Sequence, residues 1–116
     1  MLHYNVWFSL KDDIEEGHGL AVVGDFLRGL CVIGEVATFR LLKNGSEAPR
    51  SKLPKFHALI EFADDAALSR AMKNQTERGV HAGAHGKVIE VVSEFRVEIF
   101  RLMSARVIAM QYACEI

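Results

Sequence analysis

Four histidines stand at positions where their spacing could support chemistry. His3 and His57 each lie in a short segment that alternates polar and apolar residues. His81 and His85 are four residues apart, which on a helix places both imidazoles on one face. Because an imidazole changes charge near neutral pH, one member of this second pair is a candidate general acid–base group. The plainer interpretation is a capped turn with solvent-exposed histidines.

Other kinds of chemistry find less support in the residue pattern. A pair of histidines can bind a metal ion, but no Glu stands with His81 and His85 in the metalloprotease arrangement. The segment Gly17-His18-Gly19 lacks the glycine spacing of a dinucleotide site, and no serine or cysteine nucleophile motif occurs. We therefore expect no cofactor and no metal, with a haem or metal site at His81 or His85 as the minor alternative.

The bulk composition narrows the class of protein. Half of the 116 residues are hydrophobic, a quarter are charged, and the formal net charge is -1. A basic patch is missing, so nucleic acid is not an expected partner. Apolar runs are far shorter than the roughly 20 residues that cross a membrane. Two cysteines, Cys31 and Cys114, share no motif spacing and are interpreted as free thiols, which indicates a cytoplasmic protein.

The order of predicted elements is strand, helix, strand, strand, helix, strand. The segments are residues 1–10, 14–31, 35–43, 56–63, 64–78 and 94–103, with a further helical piece over 82–92. This order predicts one α+β domain over residues 1–103, a ferredoxin-like βαββαβ fold with a four-stranded antiparallel sheet ordered fourth, first, third, second. We interpret residues 44–54 as a mobile loop or lid. Residues 104–116 form an apolar tail, of undecided secondary structure, that packs on the domain or on a dimer partner.

The first and third predicted strands each have one apolar face and one mixed face. The apolar face carries Tyr4, Val6, Phe8, Phe56, Ile60 and Phe62, and the mixed face carries His3, Asn5, Trp7, His57, Leu59 and Glu61. Two helices cover one sheet face, so the apolar face is expected to bury itself against a second copy in a homodimer. In the alternative, the apolar face meets the helices and the mixed face is open, which leaves Trp7 and Leu59 exposed.

The first of these arrangements puts a polar pocket beneath the helices. Its lining would be His3, Asn5, Trp7, His57 and Glu61, with Arg40 and Glu98 as further candidates. A buried polar group without a partner costs about 1–3 kcal/mol, and a cavity that holds water or a ligand relieves that cost. We therefore expect a small organic ligand in each subunit, and His3 and His57 within one water's reach of each other.

Three segments resemble the stress-responsive A/B-barrel domain family of dimeric α/β-barrel proteins. They are the first strand from His3 to Lys11, the third strand from Lys55 to Phe62, and the segment from His81 to His85, which is similar to the family's His-Pro-x-His segment. The resemblance implies a dimeric α/β barrel. Through the plant polyketide cyclases of the family, it also implies that His85 is the acid–base catalyst, opening onto the pocket that His3 and His57 line. This chain departs from the pattern because it lacks the proline of the segment and has Asn5 at an apolar position.

Two functions stay open at this point. In the first, a homodimer binds a small organic molecule and transforms it by acid–base chemistry at His85, His57 and His3, with Asn5, Trp7, Glu61, Arg40 and His81 contacting the ligand. In the second, the protein is a non-catalytic, stress-associated binding protein whose histidines are ordinary polar groups.

Overall fold

The computed structural model describes residues 1–45 and 52–103. The strands in this part of the chain are β1 (Leu2–Leu10), β2 (Thr38–Lys43), β3 (Phe56–Phe62) and β4 (Val92–Arg101), and the helices are α1 (Glu16–Val32), α2 (Asp65–Arg78) and α3 (Gly83–Val91). The predicted tail, residues 104–116, and most of the predicted loop, residues 44–54, lie outside the described residues. No described helix is long and apolar enough to cross a membrane.

The sheet has the predicted topology. Its strand order is β2-β3-β1-β4, and every neighbouring pair is antiparallel. The central pair aligns Asn5 with Leu59 and Trp7 with His57, while Asn5 also faces Glu98 on β4. Directly opposite residues share a face of a sheet, so this register decides which polar side chains meet. The α+β, ferredoxin-like fold class is confirmed.

The apolar face of the sheet packs against the helices. Phe56, Ala58, Ile60 and Phe62 of β3 form one buried cluster with Val23 and Leu27 of α1 and Ala71 of α2. The expectation that this face makes the dimer is therefore wrong, and the alternative arrangement is correct. The physical reason is that α1 and α2 carry apolar stripes of their own, and the most apolar sheet face is the one that buries them best.

The mixed face is consequently the open face. Because side chains alternate along a strand, Asn5, Trp7, His57 and Leu59 point away from the helix layer. Trp7, His57 and Leu59 are only partly buried, as the alternative arrangement requires. No polar pocket can form between these side chains and the helices, so the predicted pocket beneath the helices is wrong.

Local capping explains where the helices begin and end. Glu15, rather than an Asp of the Lys11-Asp12-Asp13 segment, caps α1, accepting hydrogen bonds from the backbone N–H groups of Gly17 and His18 at 2.7 and 2.8 Å. Asp64 caps α2, accepting a hydrogen bond from the Ala67 N–H at 2.8 Å. Gly79, with φ at +99°, ends α2 in a conformation that suits glycine.

Gly86 lies at a close backbone approach in the helix layer. A methyl group at Gly86 would lie 2.2 Å from the carbonyl oxygen of His81, because the loop before α3 crosses over its first turn. Gly29 in α1 differs, since a methyl group there meets no atom of the described residues within 4 Å. The same substitution should thus have opposite effects in two helices.

Gly86→Ala is expected to lower the free energy of unfolding by about 1–3 kcal/mol, because the loop backbone must shift to admit the methyl group. Gly29→Ala is the matched control and should raise it by about 0.5–1 kcal/mol, the ordinary gain of alanine over glycine in a helix. Urea unfolding followed by circular dichroism measures both. Equal shifts in the two variants would contradict the close approach.

Candidate functional site

The open sheet face is organised around Asn5, a central polar side chain. Asn5 is 5% exposed, although none of the described helices covers this face, because its larger neighbours surround it. The Nε2 of His57 lies 2.8 Å from its Oδ1. An amide oxygen only accepts, so His57 carries its proton on Nε2 and donates to Asn5. The Asn5 amide nitrogen makes two longer bonds, at 3.4 Å, to the backbone oxygens of His3 and Glu98.

Trp7 fixes the His57 ring from one side. The two rings are stacked, with centroids 4.7 Å apart and planes 17° from parallel. Burial lowers the pKa of His57 below its ordinary value, because the charged imidazolium loses solvation there. Together, the stack and the Asn5 bond hold a neutral imidazole in one orientation.

His3 belongs to a different part of the same face. Its Nε2 lies 3.7 Å from the Oε1 of Glu61, the residue opposite on β3. His3 and Trp7, which is opposite His57, are four residues apart on β1, about 13 Å along the strand. Asn5 stands between the two histidines, so the prediction that they lie within one water's reach is wrong. Arg40, opposite Leu59 on the outer strand β2, is exposed.

His85 lies on the helix layer, on the other side of the sheet from His3 and His57. Its Nδ1 is 2.6 Å from the backbone oxygen of Val80, and its ring meets the ring of Phe26 edge-on with centroids 5.2 Å apart. The carbonyl oxygen only accepts, so the proton is on Nδ1 and, in the neutral ring, Nε2 holds a lone pair. Among the described residues, Nε2 has no hydrogen-bond partner.

A groove of about 290 Å³ runs beside His85 between the three helices. Phe26, Leu30 and Ile33 give it apolar walls, and Gly29 leaves it open along α1. The remaining lining residues are Asp25, Gln75, Arg78, Ala82, Gly83, Ala84 and His85. The groove thus offers apolar surface with one imidazole nitrogen at its side.

A mostly buried carboxylate, that of Glu35, holds Arg78, one of the residues that line this groove. Glu35 accepts two hydrogen bonds from Arg78, at 2.9 and 2.8 Å, and one from Asn74 at 2.9 Å. The Arg78 guanidinium lowers the pKa of Glu35, and the carboxylate raises the pKa of Arg78. Sequence reasoning missed this network. The available signal was a single charged residue in the otherwise apolar segment from Val32 to Ala37.

The structure therefore divides the predicted site residues into two groups. His3, Asn5, Trp7, Arg40, His57 and Glu61 share the open sheet face, whereas His85 lines the helix groove and His81 is exposed outside it. A single acid–base site containing His3, His57 and His85 is wrong, because the sheet itself separates them. Within residues 1–45 and 52–103, no three His, Cys, Asp or Glu side chains cluster as metal ligands would.

Residues 1–111 match the model of a family of unknown function, DUF6614. The chain belongs to this family. No curated protein matches the chain. The family assignment covers nearly the whole sequence and carries no activity with it.

Solved structures with the same fold come from plants and bacteria. An Arabidopsis thaliana protein has a TM-score of 0.69 at 13% identity, covering 90% of this chain and 98% of that one. A dabb family protein with a ferredoxin-like fold from Mesorhizobium loti has 0.60 at 21%, covering 89% and 97%. A dimeric ferredoxin-like protein of unknown function from Thermobifida fusca has 0.62 at 12%, covering 87% and 90%. At these identities the likeness shows the fold.

Lowering the pH is expected to destabilise the protein through His57. Since the folded-state pKa lies below the ordinary 6.5, the unfolded chain binds more protons between the two values. The contribution of His57 is present above about pH 6.5 and is lost as the pH falls through the depressed pKa. Urea unfolding at pH 7.5 and pH 5 measures it.

His57→Gln should flatten this pH dependence, because glutamine keeps an N–H donor for Asn5 and does not titrate. His18→Gln, at an exposed position of α1, is the control and should leave the dependence unchanged. An unaltered pH slope in His57→Gln would show that another group is responsible.

Proposed function

We propose that the protein is a homodimer formed through the open sheet face, with a binding site for a small aromatic molecule in the helix groove of each subunit. The observation that carries the binding role is the fixed imidazole of His85, whose Nε2 has no partner among the described residues and which lines an apolar groove. A cytoplasmic location remains a prediction, supported by the free thiol of Cys31.

The dimer is supported by the composition of the open face. Trp7 and Leu59 lie at its centre, while Leu42 on β2 and Phe100 on β4 remain 45% and 56% exposed. The central polar groups are already paired, since Asn5 bonds His57 within the subunit. Because the polar groups at the centre of this face already have hydrogen-bond partners, removing water from the face costs little free energy. Similar structures described as dimeric add support at the level of the fold.

Leu59→Lys is expected to weaken the dimer by about 100-fold or more, since it places an unpaired charge in the interface. The subunit should stay folded, because Leu59 points away from the helix-side core. Sedimentation velocity over a concentration series, with circular dichroism, measures both properties.

Val32→Lys is the matched control, an apolar-to-lysine change at an 80% exposed position where α1 ends. It should leave the dimer intact. If Leu59→Lys remains dimeric at the wild-type dissociation constant, the copies associate through some other surface.

The chemistry of the groove indicates the class of ligand. Phe26, Leu30 and Ile33 favour an aromatic or aliphatic body, and the Nε2 lone pair of His85 accepts a hydrogen bond from a hydroxyl. The Arg78 guanidinium is already engaged by Glu35, so it is not free to bind an anion. A neutral phenol-like molecule therefore fits best. With its proton on Nδ1, His85 could also accept the hydroxyl proton, the first step of general base chemistry.

2-Naphthol is a suitable probe, compared with naphthalene, which lacks the hydroxyl. His85→Phe keeps a ring at this position but removes the acceptor, so 2-naphthol affinity should fall about tenfold while naphthalene affinity does not. Gly29→Leu should abolish binding of both probes, because the added side chain occupies the open space beside α1. NMR titration of the backbone amides measures affinity and location.

His81→Phe is the matched control, since His81 is exposed and does not line the groove. Binding of 2-naphthol that is the same in His85→Phe and His81→Phe would remove His85 from the site. Failure of both probes to shift amides of α1 and α3 would count against the groove as a binding site.

The contacts of His85 favour ligand binding without catalysis over acid–base turnover. His85 stands alone in the groove, without His3 or His57 to share proton transfer, because the sheet lies between them. The finer resemblance to the plant enzyme olivetolic acid cyclase matches His3, His57 and His85, and of these only His85 lines the groove. We therefore propose binding first and place acid–base turnover second.

A further inference from the structure

An apolar strip on the helix side of β4 has none of the described helices over it. Phe95, Val97 and Ile99 face Phe8, Val6 and Tyr4 of β1, whose side chains belong to the helix-side core. Opposite residues share a face, so the strip lies on the helix side. Phe95 is nevertheless 70% exposed and Ile99 42%. Three apolar side chains in line at a sheet edge are a surface that normally has an occupant.

The helix layer leaves this strip open because it is displaced toward the other half of the sheet. α1 packs over β2 and α2 over β3, while α3 meets β4 where the two join at Val91 and Val92. Tyr4 on the neighbouring strand is also only half-buried. Its ring meets the ring of Phe62 edge-on, with the ring centroids 6.0 Å apart. The uncovered area therefore spans two strands.

We propose that residues 104–116 of the same chain cover this strip. They lie outside the described residues, and they follow directly from the end of β4, where Leu102 and Met103 are both exposed. The segment is rich in large apolar residues: Val107, Ile108, Met110, Tyr112 and Ile116. Arg106 and Glu115 are its charged side chains.

The length of the segment matches the strip. From Arg101 back to Phe95 is six residues, about 20 Å along β4. Thirteen residues reach about 43 Å when extended and about 20 Å as a helix, so either conformation spans the distance. Because the segment is tethered at one end of the strip, it competes at high effective concentration with any free partner.

A second copy is the main rival occupant, and it would carry assembly beyond a dimer. The opposite sheet face is the one proposed to pair two copies. If the strip also paired two copies, each subunit would have two self-complementary surfaces, and the protein would assemble into a tetramer or a larger oligomer. A tail from the same subunit covers the strip without this consequence.

Cross-linking to the natural Cys114 tests the proposal. In a Cys31→Ser background, Phe95→Cys and Ile99→Cys are each treated with a short bismaleimide at low protein concentration. Val32→Cys is the control, at a comparably exposed position on α1. Each thiol's reactivity toward N-ethylmaleimide normalises the rates. We expect links within one chain to form at least fivefold faster from Phe95→Cys or Ile99→Cys than from Val32→Cys, as seen by mass spectrometry.

Truncation after Met103 supplies a second measurement. The thiol of Phe95→Cys, in a Cys31→Ser, Cys114→Ser background, should react with N-ethylmaleimide about tenfold faster in the truncated chain than in the full chain, or the truncated chain should aggregate.

Equal cross-linking rates from strip and control, absence of cross-links from the strip, or links between chains only would overturn the proposal. In the last case, a second copy is the occupant.

Discussion

A four-stranded sheet has two faces, and the helices of this chain cover one of them. That constraint determines which side chains form the core and which face outward. The apolar stripes of α1 and α2 require the most apolar sheet face, and Phe56, Ile60 and Phe62 supply it. Every side chain at an alternate position is then turned outward, including the aromatic ring of Trp7. The outward face carries apolar side chains as well, and it is the face through which we propose that the dimer forms.

The same constraint separates the groups that could do chemistry. His57 is held neutral on the sheet by Asn5 and Trp7, an arrangement suited to the dimer interface proposed for this face. His85 is held on the helix layer by the carbonyl of Val80, and its Nε2 has no hydrogen-bond partner among the described residues. Several histidines in one sequence suggest a single site. Here the sheet separates His3 and His57 from His85, so they cannot share one.

Loops, rather than helices, fix the groove beside His85. The segment that follows α2 crosses α3 closely enough that Gly86 has no room for a side chain. Glu35, just after α1, clamps Arg78 at the end of α2 through two hydrogen bonds. A charge-assisted bidentate pair of this kind, with its carboxylate mostly buried, holds two helices at a set spacing. The groove is therefore a defined shape with apolar walls.

The sequence determined the element order and the strand order, because local periodicity and turn chemistry carry that information. It also grouped His3, Asn5, Trp7 and His57 on one face, since alternation along a strand is a local property. Only the tertiary structure decided which face met the helices, because both choices satisfy the same alternation and differ only in how well the layers pack. The contact of His85 with Phe26 and the Glu35–Arg78 pair each join residues at least 43 positions apart, and no local signal fixes such contacts.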